Sequence, residues 1–267
     1  MPSAMGEQVE EPGARQVALV TGACGGIGAA VVRGLVARGA AVAALDRDGH
    51  GVRELAASLA EEGAEVLPFS VDVADRVAVE EAVARAEAQA GPLTSAVNVA
   101  GILSPGSALE PAEDAWRTAF EVNTLGVVNV STAVARRMVP RRSGAIVTVG
   151  SDAARIARID MAAYAATKAA AARFTMCLGL ELAPHGVRCN VVSPGSTDTP
   201  MRRLLWGDDG GAGSVAGAPE RFRVGIPLGR IADPADIAAA VLFLLSPQAR
   251  HITMHDLHVD GGVGLGL

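Results

Sequence analysis

A short apolar run, Val17-Ala-Leu-Val-Thr21, ends abruptly in a glycine cluster, Gly22-Ala-Cys-Gly-Gly-Ile-Gly28. An amphipathic pattern follows, with Ile27, Val31, Leu35 and Val36 on its apolar side, and closes near Gly39. A second apolar run from Ala40 to Leu45 ends in Asp46. Strand, helix and strand in this order and length make a βαβ unit, which admits only a layered parallel sheet with crossover helices. Glycines let the backbone turn tightly and approach phosphates, while the helix start offers N–H groups and a positive dipole end. The unit is therefore expected to hold a dinucleotide, with Gly22, Cys24, Gly25, Gly26, Ile27 and Gly28 around it. The spacing is Gly-x3-Gly-x-Gly, not the Gly-x-Gly-x2-Gly of the common fingerprint. A carboxylate at Asp46 accepts hydrogen bonds from ribose hydroxyls and repels a 2′-phosphate, so NAD is expected over NADP. Arg47 beside it softens that preference, because a guanidinium pairs with phosphate.

The alternation continues down the chain. A helix from Val52 to Glu62 precedes a strand from Glu65 to Ser70, with Asp72-Val73 just past its end. Asp75 caps the next helix, which Gly91-Pro92 stops. A fourth strand, Ser95 to Asn98, runs into Ala100-Gly101, and helices follow over Glu113 to Val122 and Asn123 to Met138. A fifth strand, Ala145 to Val149, leads to Ser151; a sixth, Val187 to Val192, leads to Ser193-Pro-Gly195. A Gly-rich segment over about 197–227 breaks the rhythm before Asp233-Pro234 opens the last long helix and Leu257 to Val259 supplies a final strand. Repeated β-α order predicts a parallel sheet with helices on both faces, and ligands in such sheets bind beyond the carboxyl ends of the strands.

One α/β domain over residues 16–267 suits the length of 267, preceded by a loose polar tail over 1–15. Half of the residues are apolar and only 3% aromatic, so Ala, Val, Leu and Ile must build the core. With a net charge of −6 and no basic block, an electrostatic grip on nucleic acid or on an anionic membrane is not expected. No apolar run approaches the roughly 18 residues of a membrane span, and the first residues lack a secretion-signal pattern. Cys24, Cys177 and Cys189 are scattered, as reduced thiols in a cytoplasm would be. His251, His255 and His258 cluster without a cysteine or carboxylate ladder to join them, so no metal site is expected.

Tyr164, the single tyrosine, precedes Lys168 by four residues in Ala-rich sequence that favours helix. Phenol and ammonium then share one helix face, one turn apart. A free tyrosine has a pKa near ~10, and bringing it down by about three units takes roughly 4 kcal/mol. One positive charge at about 4 Å supplies that much at an effective dielectric near 20. The pair is thus expected to work as an acid–base.

Thr21-Gly22-x3-Gly26-x-Gly28, Asp72, Asn98-x-Ala100-Gly101, Asn123, Ser151, Tyr164-x3-Lys168 and Pro194-Gly195 together resemble the classical short-chain dehydrogenase/reductase family from Val17 to the C-terminus. Val99 stands where the family carries a second asparagine. The resemblance implies a Rossmann-like doubly wound parallel sheet of about seven strands in a single domain. It implies Asn123, Ser151, Tyr164 and Lys168 as catalytic groups: Ser151 bonding the substrate oxygen, Tyr164 taking its proton, Lys168 holding the cofactor ribose and lowering the tyrosine pKa, and Asn123 keeping a proton-relaying water. It adds Asp72, Val73, Asn98, Ala100, Gly101, Pro194, Gly195 and Thr197 to the NAD contacts. Around the substrate the likeness narrows to family members that oxidise cyclic dihydrodiol carboxylic acids during catechol siderophore biosynthesis. Ser151, Arg158, Met161, Tyr164, Met201, Arg203, Leu205 and Trp206 are the expected substrate contacts, with Arg158 favoured as reader of the carboxylate and 197–227 as a lid. A dihydro amino analogue leading to hydroxyanthranilate would use the same pocket. An NADPH-dependent ketone or acyl reductase, disfavoured by Asp46, and a non-catalytic dinucleotide sensor, disfavoured by the complete catalytic set, are the other readings. The family also implies a homotetramer pairing the helices around Asn123 to Met138 and Met161 to Ala183.

Overall fold

Every strand of the sheet is parallel to its neighbours in the computed structural model, which describes residues 15–206 and 211–266. The chain runs β1 (Val17–Thr21), α1 (Gly26–Val36), β2 (Ala41–Asp46), α2 (Gly49–Glu61), β3 (Val66–Ser70), α3 (Arg76–Ala90) and β4 (Ser95–Asn98). It continues with α4 (Glu113–Phe120), α5 (Gly126–Arg141), β5 (Gly144–Val149), α6 (Ala162–Leu182) and β6 (Val187–Pro194). Two short helices, α7 (Pro200–Trp206) and α8 (Ala212–Ala216), occupy the Gly-rich segment before α9 (Pro234–Leu245) and β7 (Asp256–Val259). The sheet order β3-β2-β1-β4-β5-β6-β7 reverses direction between β1 and β4, which opens a crevice at their carboxyl ends.

Alternate residues of each strand feed the two sides of the sheet. In β1, Val17 and Leu19 pack with Val83, Val130, Val134 and Met138 from α3 and α5. Ala18 and Val20 pack instead with Val31, Val32, Leu35, Val52, Ile237 and Val241 from α1, α2 and α9. Small residues let helices within one layer approach closely: a Cβ on Gly34 of α1 would stand 2.5 Å from Leu242 Cδ1 of α9. Helix starts follow the sequence where a side chain caps them. Asp75 accepts from the N–H groups of Val77 and Ala78, and Asp233 forms a reciprocal capping box with Asp236.

Three boundaries differ from the sequence reading. The second helix begins at Gly49, not Val52, because Asp48 caps it through His50 and Gly51 despite two poor helix formers. The helices expected to meet between Val122 and Asn123 are one uninterrupted rod from Glu113 to Arg141, widened by a π-helical turn over Glu121–Leu125 in which Gly126 N–H bonds the Glu121 carbonyl. The sixth strand extends to Pro194. The expected tail lies outside the described residues except for Arg15, whose guanidinium pairs with Glu65.

A buried polar ladder ties β4, β5, α5 and α6 together. Asn98 Nδ2 donates to Ser131 Oγ (2.9 Å) and Thr148 Oγ1 (3.2 Å), and Thr175 Oγ1 lies 2.9 Å from Thr148 Oγ1. Thr148→Val keeps the shape but leaves an Asn98 N–H buried without its acceptor. A loss of about 1–3 kcal/mol is expected, read as a lower urea midpoint at unchanged slope; an unchanged midpoint would show the ladder to be neutral.

Candidate active site

The crevice between β1 and β4 is held open from below by Thr21, whose hydroxyl accepts the N–H groups of Val99 (3.1 Å) and Ala100 (3.2 Å). Directly after it, Gly22 has φ +62°, and a Cβ there would fall 2.7 Å from Ala100 N. A Cβ on Gly28 would fall 1.9 Å from the Gly22 carbonyl oxygen. Both positions need glycine, and α1 starts behind them with no side-chain cap on its first N–H groups. Asp46, at the end of β2, accepts from Cys24 N–H at Oδ2 and from Asp48 N–H at Oδ1, both at 3.0 Å. A preset carboxylate, a glycine cradle and an uncapped helix start are the donor set a dinucleotide needs, so the residues present fit that group.

These residues line one cavity of about 350 Å³. Gly22, Gly25, Gly26, Ile27, Gly28, Asp46, Arg47, Asp72, Val73, Ala100, Gly101, Pro194, Gly195 and Thr197 all reach it, as do Ser151, Arg158, Met161, Tyr164, Lys168 and Met201. Cys24 and Asn98 do not line it. Burial, with Asp46 next, pushes the Cys24 thiol up to about 12, and the Cys24 backbone is what orients Asp46. Asn98 belongs to the polar ladder beneath the crevice.

At the other end α6 presents Tyr164 and Lys168 beside Ser151, all buried. Lys168 Nζ donates to the Val149 carbonyl (2.9 Å) and stands 5.9 Å from the centre of the Tyr164 ring. Contrary to the expectation that lysine lowers the phenol, the Tyr164 pKa is pushed up to about 12. Burial is the main cause; Asp152 adds to it, and the Ser151 hydrogen bond opposes it. Burial also brings Lys168 down to about 8. Beside the charge of Lys168 stands desolvation, which acts on both groups. Asn123 lies in the π-helical turn, fully buried and away from the cavity lining. Its Oδ1 accepts Ile102 N–H (2.7 Å), and its Nδ2 donates to the Ile102 carbonyl (2.9 Å) and Thr167 Oγ1 (3.0 Å). Both amide hydrogens are engaged by protein, so the side chain has none to offer the expected water.

Around the substrate space the outcome is mixed. Arg158 Nη2 meets Asp152 Oδ2 at 2.5 Å, so the expected carboxylate reader already faces an anion. Arg203 is exposed, pairs with Asp198 at 3.3 Å and does not line the cavity. The neighbouring Arg202 does line it, and is buried. The side chains of Leu205 and Trp206 lie outside the described residues. Asp152, Ser196 and Arg223 reach the cavity without having been expected there. Of the histidines, His258 stands 2.9 Å from Arg155 and 3.5 Å from Asp256, and no metal-holding group of three or more His, Cys, Asp or Glu occurs among the described residues.

Lys168 has a folded pKa of about 8 against an ordinary 10.5. Between those values the unfolded chain keeps a proton the folded chain has released, so stability rises with pH across that window. Below about pH 8 both states are protonated and the buried ammonium costs on the order of 3 kcal/mol. Lys168→Met is expected to raise the thermal midpoint of the cofactor-free chain at pH 7 by roughly 2–6 °C, with the gain shrinking toward pH 10.5. A lower midpoint at pH 7 would reverse this account.

The short chain dehydrogenase family model matches residues 16–209. The chain is 51% identical to the 2,3-dihydro-2,3-dihydroxybenzoate dehydrogenase of Bacillus subtilis (strain 168), over 94% of this chain and 97% of that one. It is 44% identical to the enzyme of the same name from Escherichia coli (strain K12), over 92% and 96%. A crystal structure of actinorhodin polyketide ketoreductase with NADPH superposes with a TM-score of 0.85 at 34% identity, covering 94% of this chain and 97% of that one. With a Rossmann-like sheet, a glycine-lined crevice and Ser151, Tyr164 and Lys168 gathered at its far end, the chain belongs to the short-chain dehydrogenase family of dinucleotide-binding oxidoreductases.

Proposed function

We propose that this chain oxidises 2,3-dihydro-2,3-dihydroxybenzoate to 2,3-dihydroxybenzoate with NAD, in the supply of catechol for siderophores. The observation that carries the reading is 51% identity, over nearly the full length of both chains, to a dehydrogenase named for that substrate. Asp46 favours NAD: its carboxylate, fixed by two backbone N–H groups at the end of β2, would accept ribose hydroxyls and repel a 2′-phosphate.

In this reading Ser151 bonds the C3 hydroxyl oxygen of the substrate and Tyr164 takes its proton. Burial keeps Tyr164 neutral at rest, so it must first give up its own proton to solvent; the bond from Ser151 works toward that release. The positive charge of NAD, when bound, would favour the phenolate that then accepts the substrate proton. Lys168 donates to the Val149 carbonyl and holds the cofactor ribose with its remaining hydrogens. The hydride leaving the carbinol carbon would pass to NAD, the two-electron acceptor that the bound cofactor would supply. The ring ketone so formed tautomerises to the aromatic catechol, which makes the overall step effectively irreversible. Asn123 acts by position: its amide joins the backbone at Ile102 to Thr167 on the catalytic helix. Arg158 faces the substrate carboxylate, and Met161 and Met201 wall the ring. Residues 197–227 form the lid of this single domain. Assembly is proposed as a homotetramer in the cytoplasm, through α5 and α6; Leu180 of α6, and Leu125 in the π-helical turn before α5, stand exposed in the single chain. Among the described residues no helix is long and apolar enough to cross a membrane.

Purified protein supplied with NAD and the dihydrodiol acid is expected to form NADH and the catechol acid, and far less with NADP. Preference for NADPH with a ketone or acyl substrate would favour the reductase reading instead. Tyr164→Phe is expected to lower turnover by roughly 100- to 10,000-fold while NAD still binds; retained turnover would remove Tyr164 from the acid–base role. Light scattering in solution gives the mass of the assembly, and a monomer would overturn the tetramer.

A further inference from the structure

One end of the crevice is held by a side chain that does not line it. Beyond β3 the chain turns through Val71, Asp72 and Val73, which line the cavity together with Leu45 and Asp46 at the end of β2. Asp46 is where the adenosine ribose is expected, so Asp72 and Val73 lie where the base attached to that ribose would follow. Val71 N–H bonds the Asp46 carbonyl (2.9 Å), which fixes where the turn begins. Its far side is anchored from α5. Asn129 Nδ2 donates to the carbonyls of Val73 (2.9 Å) and Ala74 (3.4 Å), and Asn129 itself lies outside the cavity lining. Three residues earlier, a Cβ on Gly126 would fall 2.6 Å from Val73 Cγ2. Residues three apart share a helix face, so α5 offers this one loop both a notch and an amide.

The amide acts at a distance through a rigid plane. The peptide between Val73 and Ala74 carries a carbonyl on one side and an N–H on the other, and the unit is planar. Asn129 holds the carbonyl, and Asp72 Oδ1 accepts the N–H at 2.9 Å. Fixing the first therefore fixes the second, and with it the Asp72 carboxylate. An ionised carboxylate is an acceptor only, and with Oδ1 engaged Asp72 keeps Oδ2 as an acceptor at the cavity. Adenine carries an exocyclic amine to donate there. We infer that Asn129 is a positioning residue for cofactor recognition, presenting Asp72 to the amine of the adenine base through the Val73–Ala74 peptide. The inference rests on the NAD reading of the crevice and extends it to a residue beyond the cavity wall. The rod from Glu113 to Arg141 then serves both ends of the cofactor, with Asn123 toward the catalytic helix and Asn129 toward the base.

NAD and nicotinamide hypoxanthine dinucleotide, in which a carbonyl replaces the amine, separate this role from a structural one. Calorimetric titration of the full chain, with no oxidisable substrate present, is expected to show NAD binding more tightly than the analogue. Asn129→Leu weakens NAD by roughly 3- to 30-fold and leaves the analogue nearly unchanged, so the preference collapses. Asn129→Asp keeps the shape but turns an acceptor toward two carbonyls, and the same loss is expected. Asn129→Gln keeps the donor and recovers part of the preference. Thermal midpoints of the cofactor-free variants register folding, and Asn129→Asp and Asn129→Gln carry the comparison if Asn129→Leu does not fold. Equal weakening of both dinucleotides, or full NAD affinity in Asn129→Leu and Asn129→Asp, overturns the positioning role alone. An unaltered protein that binds no NAD overturns the dinucleotide reading and this inference with it. A preference that collapses as described, in a chain that does not oxidise the dihydrodiol acid, keeps the positioning role and overturns only the proposed reaction.

Discussion

The hydrogen bonds from Val99 and Ala100 N–H to the Thr21 hydroxyl fix the place where the sheet changes direction. At that point β1 and β4 are neighbours in space: Ala18 is in register with Ser95, 77 positions further along the chain. Gly22 lies against the backbone of Ala100 with no room for a side chain. Everything the site needs is hung on this seam. The glycine loop leaves it on one side, Asp46 is oriented through that loop, and Ile102 beyond β4 carries the bonds that reach Asn123 and hence the catalytic helix. A sheet without the reversal would have the same strands and no crevice.

Much of this was legible in the sequence because the signals were local. Strand runs such as Val17-Ala-Leu-Val-Thr21 are short, apolar and bounded by glycine or a capping aspartate, and each one forms. The cavity-lining positions follow from topology: a residue just past a strand's carboxyl end lies at the crevice whatever its own type. Features that depend on contacts between distant segments were not legible. Arg223 reaches the cavity through a fold of the Gly-rich segment that has no periodicity to read. The π-helical turn at Glu121–Leu125 has no compositional mark, because a π turn uses the same helix-forming residues as its neighbours. The start of α2 was obscured by Gly49 and Gly51, whose low propensity Asp48 offsets.

Tyr164 and Lys168 show how burial changes a charge argument. Counted as point charges, Lys168 suffices to make Tyr164 a base. Placed in the folded chain, both groups are deprived of water, and each is driven toward its neutral form. The protein alone holds Tyr164 as the neutral phenol, and Asp152 deepens that state. Chemistry in this site is therefore conditional on the charges that ligands bring.

The uninterrupted rod from Glu113 to Arg141 has a further meaning in terms of rotational phase. An α-helix advances about 100° per residue, and the wider turn at Glu121–Leu125 takes up one residue more than an ordinary turn. The face of α5 is thereby rotated against that of α4. The rod can hold Asn123 toward Thr167 while Val130, Val134 and Met138 still point into the core beneath the sheet. The extra residue works as a phase adjuster between a helix half set by chemistry and a half set by packing. Length is then the constrained quantity in this turn: exchanging side chains there alters contacts, whereas removing one residue would turn one half of the rod away from what it serves.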